Sequence, residues 1–383
     1  MTATILVAGG GTGGHVFPGL AVAHAMRAIA DVEVVFVGSP RGLETRVIPA
    51  QGYDLELLDV EPMKGGGAAR AIRGALVAAK AMRHATGLVG RLRPSAVLSV
   101  GGYAAGPAAL ACVRARVPLA ILEPNATLGL ANRLLAPFAK RAYVAWAETG
   151  RVFRGDKARL YGVPLRPGFE PRPYANKSEK RVLVLGGSQG AAALNERVPG
   201  AIARAVAQCG PVAVVHQAGR DREEAVREAY ARAGAVATVV PFLDDVAEQM
   251  AAADVIVARA GAVTVAEIAA IGRAAILVPF PHAADDHQAK NAASLAELGG
   301  AVCVRQEAAD EVRIGSELAL LLRDDARRAR MADAARHHGQ PHAADDIARD
   351  LLALAGIAAK KKPETTNGAN GASGRFRASK ELS

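Results

Sequence analysis

The chain is 383 residues long, with a formal net charge of +10, 4% aromatic residues and 40 glycines. That length supplies two α/β domains with cores of their own. Three scattered cysteines (Cys112, Cys209 and Cys303) exclude a disulfide framework and a cysteine-built metal centre, which points to a reducing cytoplasm. The charge is uneven. From Pro62 to Leu122 there is no Asp or Glu against nine Lys or Arg, the tail from Ala358 to Ser383 adds a further +4, and the rest of the chain is slightly acidic. Nucleic acid is one partner for such a basic face, but the aromatic platforms of single-strand binding are lacking, so none is expected. An anionic membrane surface is the other reading.

In chain order, Thr4 to Ala8 is a short apolar run of strand character, and it starts too close to Met1 to leave room for a signal peptide. The glycine-rich stretch Gly9-Gly10-Gly11-Thr12-Gly13-Gly14-His15 follows, and from Phe17 an apolar helical pattern begins. Strand, glycine loop and helix form the first unit of a parallel α/β domain. Bare backbone at a helix start suits a phosphate or diphosphate. The spacing Gly9-x-Gly11-x-x-Gly14 fits the dinucleotide fingerprint, yet the next strand, Glu33 to Val37, ends in Gly38-Ser39 without the acid that grips an adenosine ribose, and the P-loop lysine is absent. Leu43 to Pro49 is expected as a helix and Asp54 to Val60 as a strand.

Ala68 to Arg91 is a long helical stretch carrying apolar residues among basic ones. It packs an apolar stripe on the sheet with a solvated basic face, or it lies at a lipid surface with its cations on the headgroups. Ser95 to Val113 is nearly uncharged, but Gly101, Gly102, Gly106 and Pro107 cut it into strand, loop and helix rather than a membrane span. Strands follow at Leu119–Leu122, Ala142–Ala145 and Ala158–Tyr161, and Gly162 to Pro167 marks a crossing. After a polar stretch from Pro167 to Lys180 the pattern restarts with Arg181 to Gly190, again strand then glycine loop, and strands recur at Val212–His216, Ala237–Val240, Val255–Ala258 and Ala275–Val278. Helices close the fold at Val312–Leu322, Ala326–Arg336 and Ala343–Leu354. The expected division is a domain over residues 1–166, a second over 167–342, a helix at 343–357 reaching back to the first domain, and a disordered basic tail over 358–383. The expected class is α/β, two Rossmann-like doubly wound parallel sheets facing across a cleft, where ligands bind beyond the carboxyl ends of the strands.

Three groups of residues carry chemistry. Arg259 to Glu267 follows a strand and opens a helix, which suits a diphosphate; Thr264-x-x-Glu267 is also a capping-box pattern, in which Glu267 would bond only its own helix terminus. His282, Asp285, Asp286 and His287 cluster beside Gln288 and Asn291. All four residue types ligate metals, but no D-x-D pattern holds a metal on a nucleotide diphosphate, and a polar sugar pocket fits better. His15 is either a general base near neutral pH or a group that caps the loop or bonds a phosphate.

Taken together, Gly9 to Pro18, Gly101-Gly102-Tyr103, Gly129 to Leu135, Gly186 to Gly190 and Arg259 to Glu267 resemble the MurG family. These are bacterial N-acetylglucosaminyltransferases that convert lipid I to lipid II in peptidoglycan synthesis. The resemblance runs from about Ile5 to Leu354 and implies a GT-B fold. It implies an inverting transfer of N-acetylglucosamine from its UDP donor to the muramoyl C4 hydroxyl of a polyprenyl-linked acceptor. It also implies no cofactor or metal, and a peripheral position on the cytoplasmic face of the inner membrane, docked through the Lys64–Arg93 region. Other cell-wall synthesis or division proteins are further partners it leaves open. Carried over by residue, Thr12, Gly13 and Gly14 contact the donor, with the glycine loop also facing the acceptor's diphosphate, Asn125 lies between donor and acceptor, and Arg166 and Ser188 hold the donor phosphates. Leu243 meets the uracil through its backbone. Ala262, Val263, Thr264, Val265, Ala266 and Glu267 cradle diphosphate and ribose, with Glu267 on the ribose hydroxyls, and Gln288 reads the sugar hydroxyls. His15 is the candidate base. The family pattern is altered at Leu122, Pro124, Val163, Ala260 and His287. A UDP-N-acetylglucosamine 2-epimerase of the same architecture and a non-catalytic sugar-nucleotide binder are the rival readings.

Overall fold

Val, Ile, Leu and Ala run together without polar alternation in the strand segments, the pattern of parallel strands covered on both faces. The computed structural model describes residues 2–60, 68–174, 179–187 and 190–360, with side chains of the helix at 68–92 described from residue 77 onward. In the first half, β1 (Ala3–Gly9), α1 (Gly13–Ile29), β2 (Val32–Gly38), α2 (Glu44–Ala50), β3 (Asp54–Leu57), α3 (Ala68–Leu92), β4 (Ala96–Gly101) and α4 (Ala105–Arg114) lead to β5 (Leu119–Glu123). Then come α5 (Leu130–Leu135), β6 (Arg141–Val144), α6 (Ala147–Gly150) and β7 (Ala158–Leu160). The second half holds β8 (Lys180–Leu185), α7 (Ala192–Cys209), β9 (Val212–Gln217), α8 (Glu223–Ala233), β10 (Thr238–Val240), α9 (Val246–Ala252), β11 (Val255–Ala258), α10 (Ala262–Ile271) and β12 (Ala274–Leu277). It ends with α11 (His287–Glu297), β13 (Val302–Cys303), α12 (Glu311–Arg323), α13 (Asp325–His338) and α14 (Ala343–Leu354).

Two parallel sheets result. The first has the order β3-β2-β1-β4-β5-β6-β7 and the second β10-β9-β8-β11-β12-β13. In each, the strand order reverses once, between β1 and β4 and between β8 and β11. Helices leave on opposite faces there, and a crevice opens at the carboxyl ends. The strand ends that meet at these two points carry Gly9 and Gly101 in one sheet, Leu185 and Ala258 in the other.

Two expected boundaries move. The helix begins at Gly13 rather than at Phe17, because Gly9 (φ +138) and Gly11 (φ +94) turn the chain sharply enough for Thr12 to serve as the N-cap. β3 stops at Leu57, short of Val60, because β2, the strand it pairs with, ends at Gly38. β13 has two residues and offers no period to read.

The cores cross the chain's midpoint in both directions. Trp146, Val163 and Leu165 pack into the core beneath the second sheet, and the Trp146 ring stacks on His338 with centroids 5.2 Å apart. Conversely, α14 places Ile347, Ala348, Leu351 and Leu352 in the core of the first sheet, beside Val22 and Met26 of α1. Asp350 of α14 accepts hydrogen bonds from the Tyr143 hydroxyl (2.9 Å) and Arg141 Nε (3.2 Å). Leu351 is fully buried, so Leu351→Ala is expected to cost about 2–5 kcal/mol, read by urea unfolding. A loss below about 1 kcal/mol would mean that α14 is only loosely docked.

Candidate functional site

The glycine turns after β1 and β4 press back to back. A Cβ on Gly9 would lie 2.0 Å from Gly101 O and one on Gly102 would lie 2.4 Å from Gly10 O, while Gly10 N donates to Gly101 O (3.2 Å). Gly11 N is also spent, on the Glu44 carboxylate (2.7 Å). At Gly9 and Gly10 the glycine motif thus serves close packing of turn on turn. Among the described residues the amides of Thr12, Gly13 and Gly14 have no partner, and this start of α1 faces outward through exposed Thr12 and Gly14.

His15 follows them. Its Nδ1 lies 3.2 Å from Gly10 O and 3.4 Å from Thr12 Oγ1. A carbonyl only accepts, so Nδ1 carries the proton and Nε2 keeps its lone pair. A Cβ on Gly101 would sit 3.1 Å from that Nε2, so glycine there keeps the nitrogen open. Burial lowers the His15 pKa and the Glu123 charge opposes it, leaving a neutral imidazole near pH 7.

Glu123 ends β5 and is buried. Its Oε1 accepts from Asn125 N (3.2 Å) and Nδ2 (3.0 Å), and its Oε2 accepts from Gly129 N (2.9 Å) and Asn132 Nδ2 (3.1 Å). Ser99 Oγ completes the chain by donating to Asn132 Oδ1 (2.8 Å). The loop so shaped meets the second domain. Ala126 N donates to buried Asn291 Oδ1 (2.9 Å), Asn291 Nδ2 reaches Ala260 O (3.2 Å) and Asn125 Oδ1 (3.4 Å), Lys290 Nζ reaches Thr127 Oγ1 (3.1 Å), and Arg133 pairs with Asp285 (3.0 Å). Asn125 therefore stands at the seam between the domains. Glu44, Ser99 and Asn132 were not singled out from the sequence, and Asn291, expected in a sugar pocket, instead joins the two domains.

In the second domain, Gly186 and Gly190 are required by the turn after β8: a Cβ on Gly190 would lie 2.2 Å from Ala218 O, and one on Gly186 would lie 2.7 Å from Gln217 O. Ser188 falls outside the described residues. The helix α10 is capped by Gly261, which overturns the capping-box reading, because Thr264 is the third residue inside the helix and makes no cap hydrogen bond. Ala262, Val263, Thr264, Val265 and Ala266 form its first turns, with Val263, Thr264 and Ala266 partly exposed and Ala262 and Val265 buried. Glu267 is buried and faces Arg166 at 3.7 Å. Burial raises its pKa to about 7 against the pull of Arg166. Arg166 also lies over the rings of Phe17 (5.1 Å) and Phe169 (5.7 Å), so it bridges α1 and α10. Glu267, Arg166 and the start of α1 thus meet at one place.

Leu243 buries its side chain in the core under the second sheet, leaving its backbone near the surface beside exposed Phe242. Gln288 Oε1 accepts from Phe280 N (3.0 Å), which orients the side chain with its amide nitrogen left to donate. The four polar residues before it scatter: His282 meets the Phe280 ring edge-on (centroids 5.5 Å apart), Asp285 pairs with Arg133, Asp286 with Arg305 (2.9 Å), and His287 Nδ1 with Ala284 O (2.7 Å). Among the described residues no three His, Cys, Asp or Glu side chains come together as a metal site.

Two crevices of one architecture, joined across a seam of polar contacts, define a two-domain fold of the GT-B type. The sequence comparisons agree. A model of the glycosyltransferase family 28 N-terminal domain matches residues 5–144, and one of its C-terminal domain matches residues 181–347. The chain belongs to glycosyltransferase family 28. It is 54% identical, over 92% of its length and 88% of the relative's, to the UDP-N-acetylglucosamine–N-acetylmuramyl-(pentapeptide) pyrophosphoryl-undecaprenol N-acetylglucosamine transferase of Sorangium cellulosum. It is 41% identical to the protein of the same name from Acidithiobacillus ferrooxidans, over 93% of this chain and 99% of that one. The crystal structure of Acinetobacter baumannii MurG superposes with a TM-score of 0.77 at 33% identity, covering 92% of this chain and 99% of the other. The UDP-GlcNAc 2-epimerase of Neisseria meningitidis, at 11% identity, TM-score 0.63 and coverage of 92% and 100%, shares the fold alone.

The Glu267 shift fixes a sign. Between its ordinary value of 4.5 and about 7 the unfolded chain has lost this proton while the folded chain keeps it. Folding stability therefore falls as pH rises through that window, by on the order of 3 kcal/mol in full. Glu267→Gln is expected to remove this fall, so that its stability relative to the parent grows from pH 5 to pH 8 in denaturant titrations. An equal difference at both pH values would mean an ordinary carboxylate at this position.

Proposed function

We propose that this chain transfers N-acetylglucosamine from UDP-N-acetylglucosamine to the C4 hydroxyl of the muramoyl sugar on a polyprenyl-pyrophosphate-linked acceptor, with inversion. The observation that carries the reading is the meeting of Arg166, Glu267 and the start of α1 at the seam, where a nucleotide diphosphate on one domain faces an acceptor on the other. The donor lies on the second domain. Its ribose hydroxyls donate to Glu267, and its diphosphate lies at the start of α10 between Arg166 and the Gly186–Gly190 turn that includes Ser188. The uracil meets the Leu243 backbone, and the Gln288 amide reads the sugar. The acceptor enters from the first domain, its diphosphate on the amides of Gly13 and Gly14, with Asn125 between the two sugars.

The sugar C1–oxygen bond to the diphosphate breaks and UDP departs with the electron pair. The acceptor oxygen bonds to C1 from the opposite face, and its proton passes to His15 Nε2. Positive charge grows on the sugar in an oxocarbenium-like transition state, while negative charge grows on the diphosphate. Arg166 and the fixed N–H groups stabilise that negative charge without reorganising.

Ligand binding and turnover test this directly. Glu267→Ala and Arg166→Ala are each expected to weaken UDP affinity about 10–100-fold, the value of one or two charge-assisted hydrogen bonds, by calorimetry. UDP release from the parent chain should require the lipid-linked acceptor and persist in EDTA. A free epimerised sugar would favour the epimerase reading, and no release with any lipid acceptor would favour the binding protein.

The acceptor's polyprenyl chain places the work at the cytoplasmic face of the membrane. Among the described residues no helix is long and apolar enough to cross a bilayer. The α3 helix buries Ala81, Ala85, Leu88 and Val89 and exposes Lys80 and Arg83, which supports a cationic face turned outward. The side chains of the Lys64 to Arg73 portion lie outside the described residues. Reversing Lys80 and Arg83 to Glu is expected to reduce co-sedimentation with anionic but not neutral liposomes. Equal binding to both lipids, or no loss on reversal, would rule out docking by charge at α3.

A further inference from the structure

Glu44 is a buried carboxylate with no part in the transfer chemistry so far described. It opens α2, yet its side chain reaches back under the glycine turn. Oε2 accepts from Gly11 N (2.7 Å), and Oε1 accepts from Ser39 N (2.9 Å) and Ser39 Oγ (3.1 Å). Its seat is built by three glycines. A Cβ on Gly10 would lie 2.3 Å from the carboxylate, one on Gly38 would lie 2.5 Å from the Glu44 side chain, and one on Gly42 would lie 2.0 Å from Oε2. A tie that only closed the β2–α2 turn would need Ser39 alone. The bond to Gly11, 33 residues away, fastens that turn to the loop that carries His15.

We propose that Glu44 is a positioning residue for His15: its carboxylate clamps the Gly10–Gly11 turn, so that Gly10 O is held where it accepts from His15 Nδ1 and Nε2 is left unprotonated towards the acceptor. This rests on the proposed role of His15 as the base. The chain of contacts is Glu44 to Gly11 N, through one peptide to Gly10 O, then to His15 Nδ1 at 3.2 Å. Gly101, lacking a Cβ, keeps the opposite side of the ring open. With the clamp released, Gly10 O swings away. Thr12 Oγ1 then remains as the Nδ1 partner, and a hydroxyl accepts or donates, so it does not choose the tautomer.

The charges facing the ring come from three elements: Glu123 at the end of β5, Glu44 of α2 and His287 of α11. Burial lowers the His15 pKa, Glu123 opposes it most strongly, His287 adds to the lowering, and Glu44 raises it least among the charges. Removing the Glu44 charge therefore moves the acidic limb of the pH profile to lower pH by a small step.

The test uses the full chain with ¹⁵N-labelled histidine, the His15 signals being assigned with His15→Gln. In the parent, long-range ¹H–¹⁵N spectra should show protonated Nδ1 and bare Nε2. Glu44→Gln puts an amide N–H₂ against one of the N–H donors that the carboxylate satisfied. It is expected to give a mixture of tautomers and to lower kcat about 10–100-fold, the cost of a small misplacement of a reacting group. The KM for the UDP-sugar should stay within about twofold, since Glu44 bonds Gly11 and Ser39 and touches neither Arg166 nor Glu267. Should Glu44→Gln not fold, Gly42→Ala, which displaces the carboxylate without removing it, is expected to reproduce the same pattern. An unchanged His15 tautomer in the folded variant overturns the proposal, and so does a changed tautomer with unaltered kcat. The tautomer is read without turnover, so it decides the role of Glu44 even if the lipid-linked acceptor proves to be the wrong substrate.

Discussion

A parallel sheet can bind a ligand at its carboxyl edge only where neighbouring strands send their helices to opposite faces. Everywhere else a helix covers the edge. Each sheet here has one such place, between β1 and β4 and between β8 and β11, and the residues of interest collect at those two points. The strands need no functional residues of their own. Their fully buried Val, Ile and Leu faces fix the positions of the ends, and the turns that follow carry candidate site residues. The same constraint explains why so much glycine is present. Four chain segments converge at the first point, and a side chain on Gly9, Gly10 or Gly102 would collide with the opposing backbone or with Glu44.

Glycine at the first crevice therefore has two separate uses. One is packing of turn on turn, together with the carboxylate beneath it. The other is exposure of amides at the start of α1. In a doubly wound domain that binds a dinucleotide, the loop amides face the ligand. Here Gly11 N is already held by Glu44, and the negative charge beneath the loop disfavours a phosphate directly over it. The proposed anion contact is thus assigned to Gly13 and Gly14, at the start of α1, next to His15.

The seam itself is polar and locally specified. Glu123 shapes the loop that follows β5, and Asn291 receives it from the other domain. Four of the five positions expected to depart from the family pattern are absorbed by packing or by backbone contacts. Leu122 and Val163 lie in cores, Ala260 is buried with its carbonyl accepting from Asn291, and the His287 ring bonds a neighbouring carbonyl. Trp146 crossing one way and α14 crossing the other tie each domain to the chain of its neighbour, so that the domains share hydrophobic cores as well as a polar seam.

The sequence by itself determined the class of fold, the positions of nearly all the longer strands and helices, and the family. These follow from unbroken apolar runs, helical periodicity and glycine at turns, all of which are properties of neighbouring residues. It also placed the motif around Arg259 to Glu267 at a helix start, but it could not choose between a capping box and a ligand carboxylate. That choice depends on where the N-cap falls and on Arg166, about a hundred residues away in the chain. Glu44 and Asn132 were legible only as ordinary polar residues, since what distinguishes them is burial against partners from other segments. Which amides of the glycine loop stay open was likewise decided by the tertiary structure alone: a glycine is read from sequence as missing a side chain, whereas whether its N–H meets a ligand, a carbonyl or a carboxylate is settled only when the second turn and α2 are folded against it.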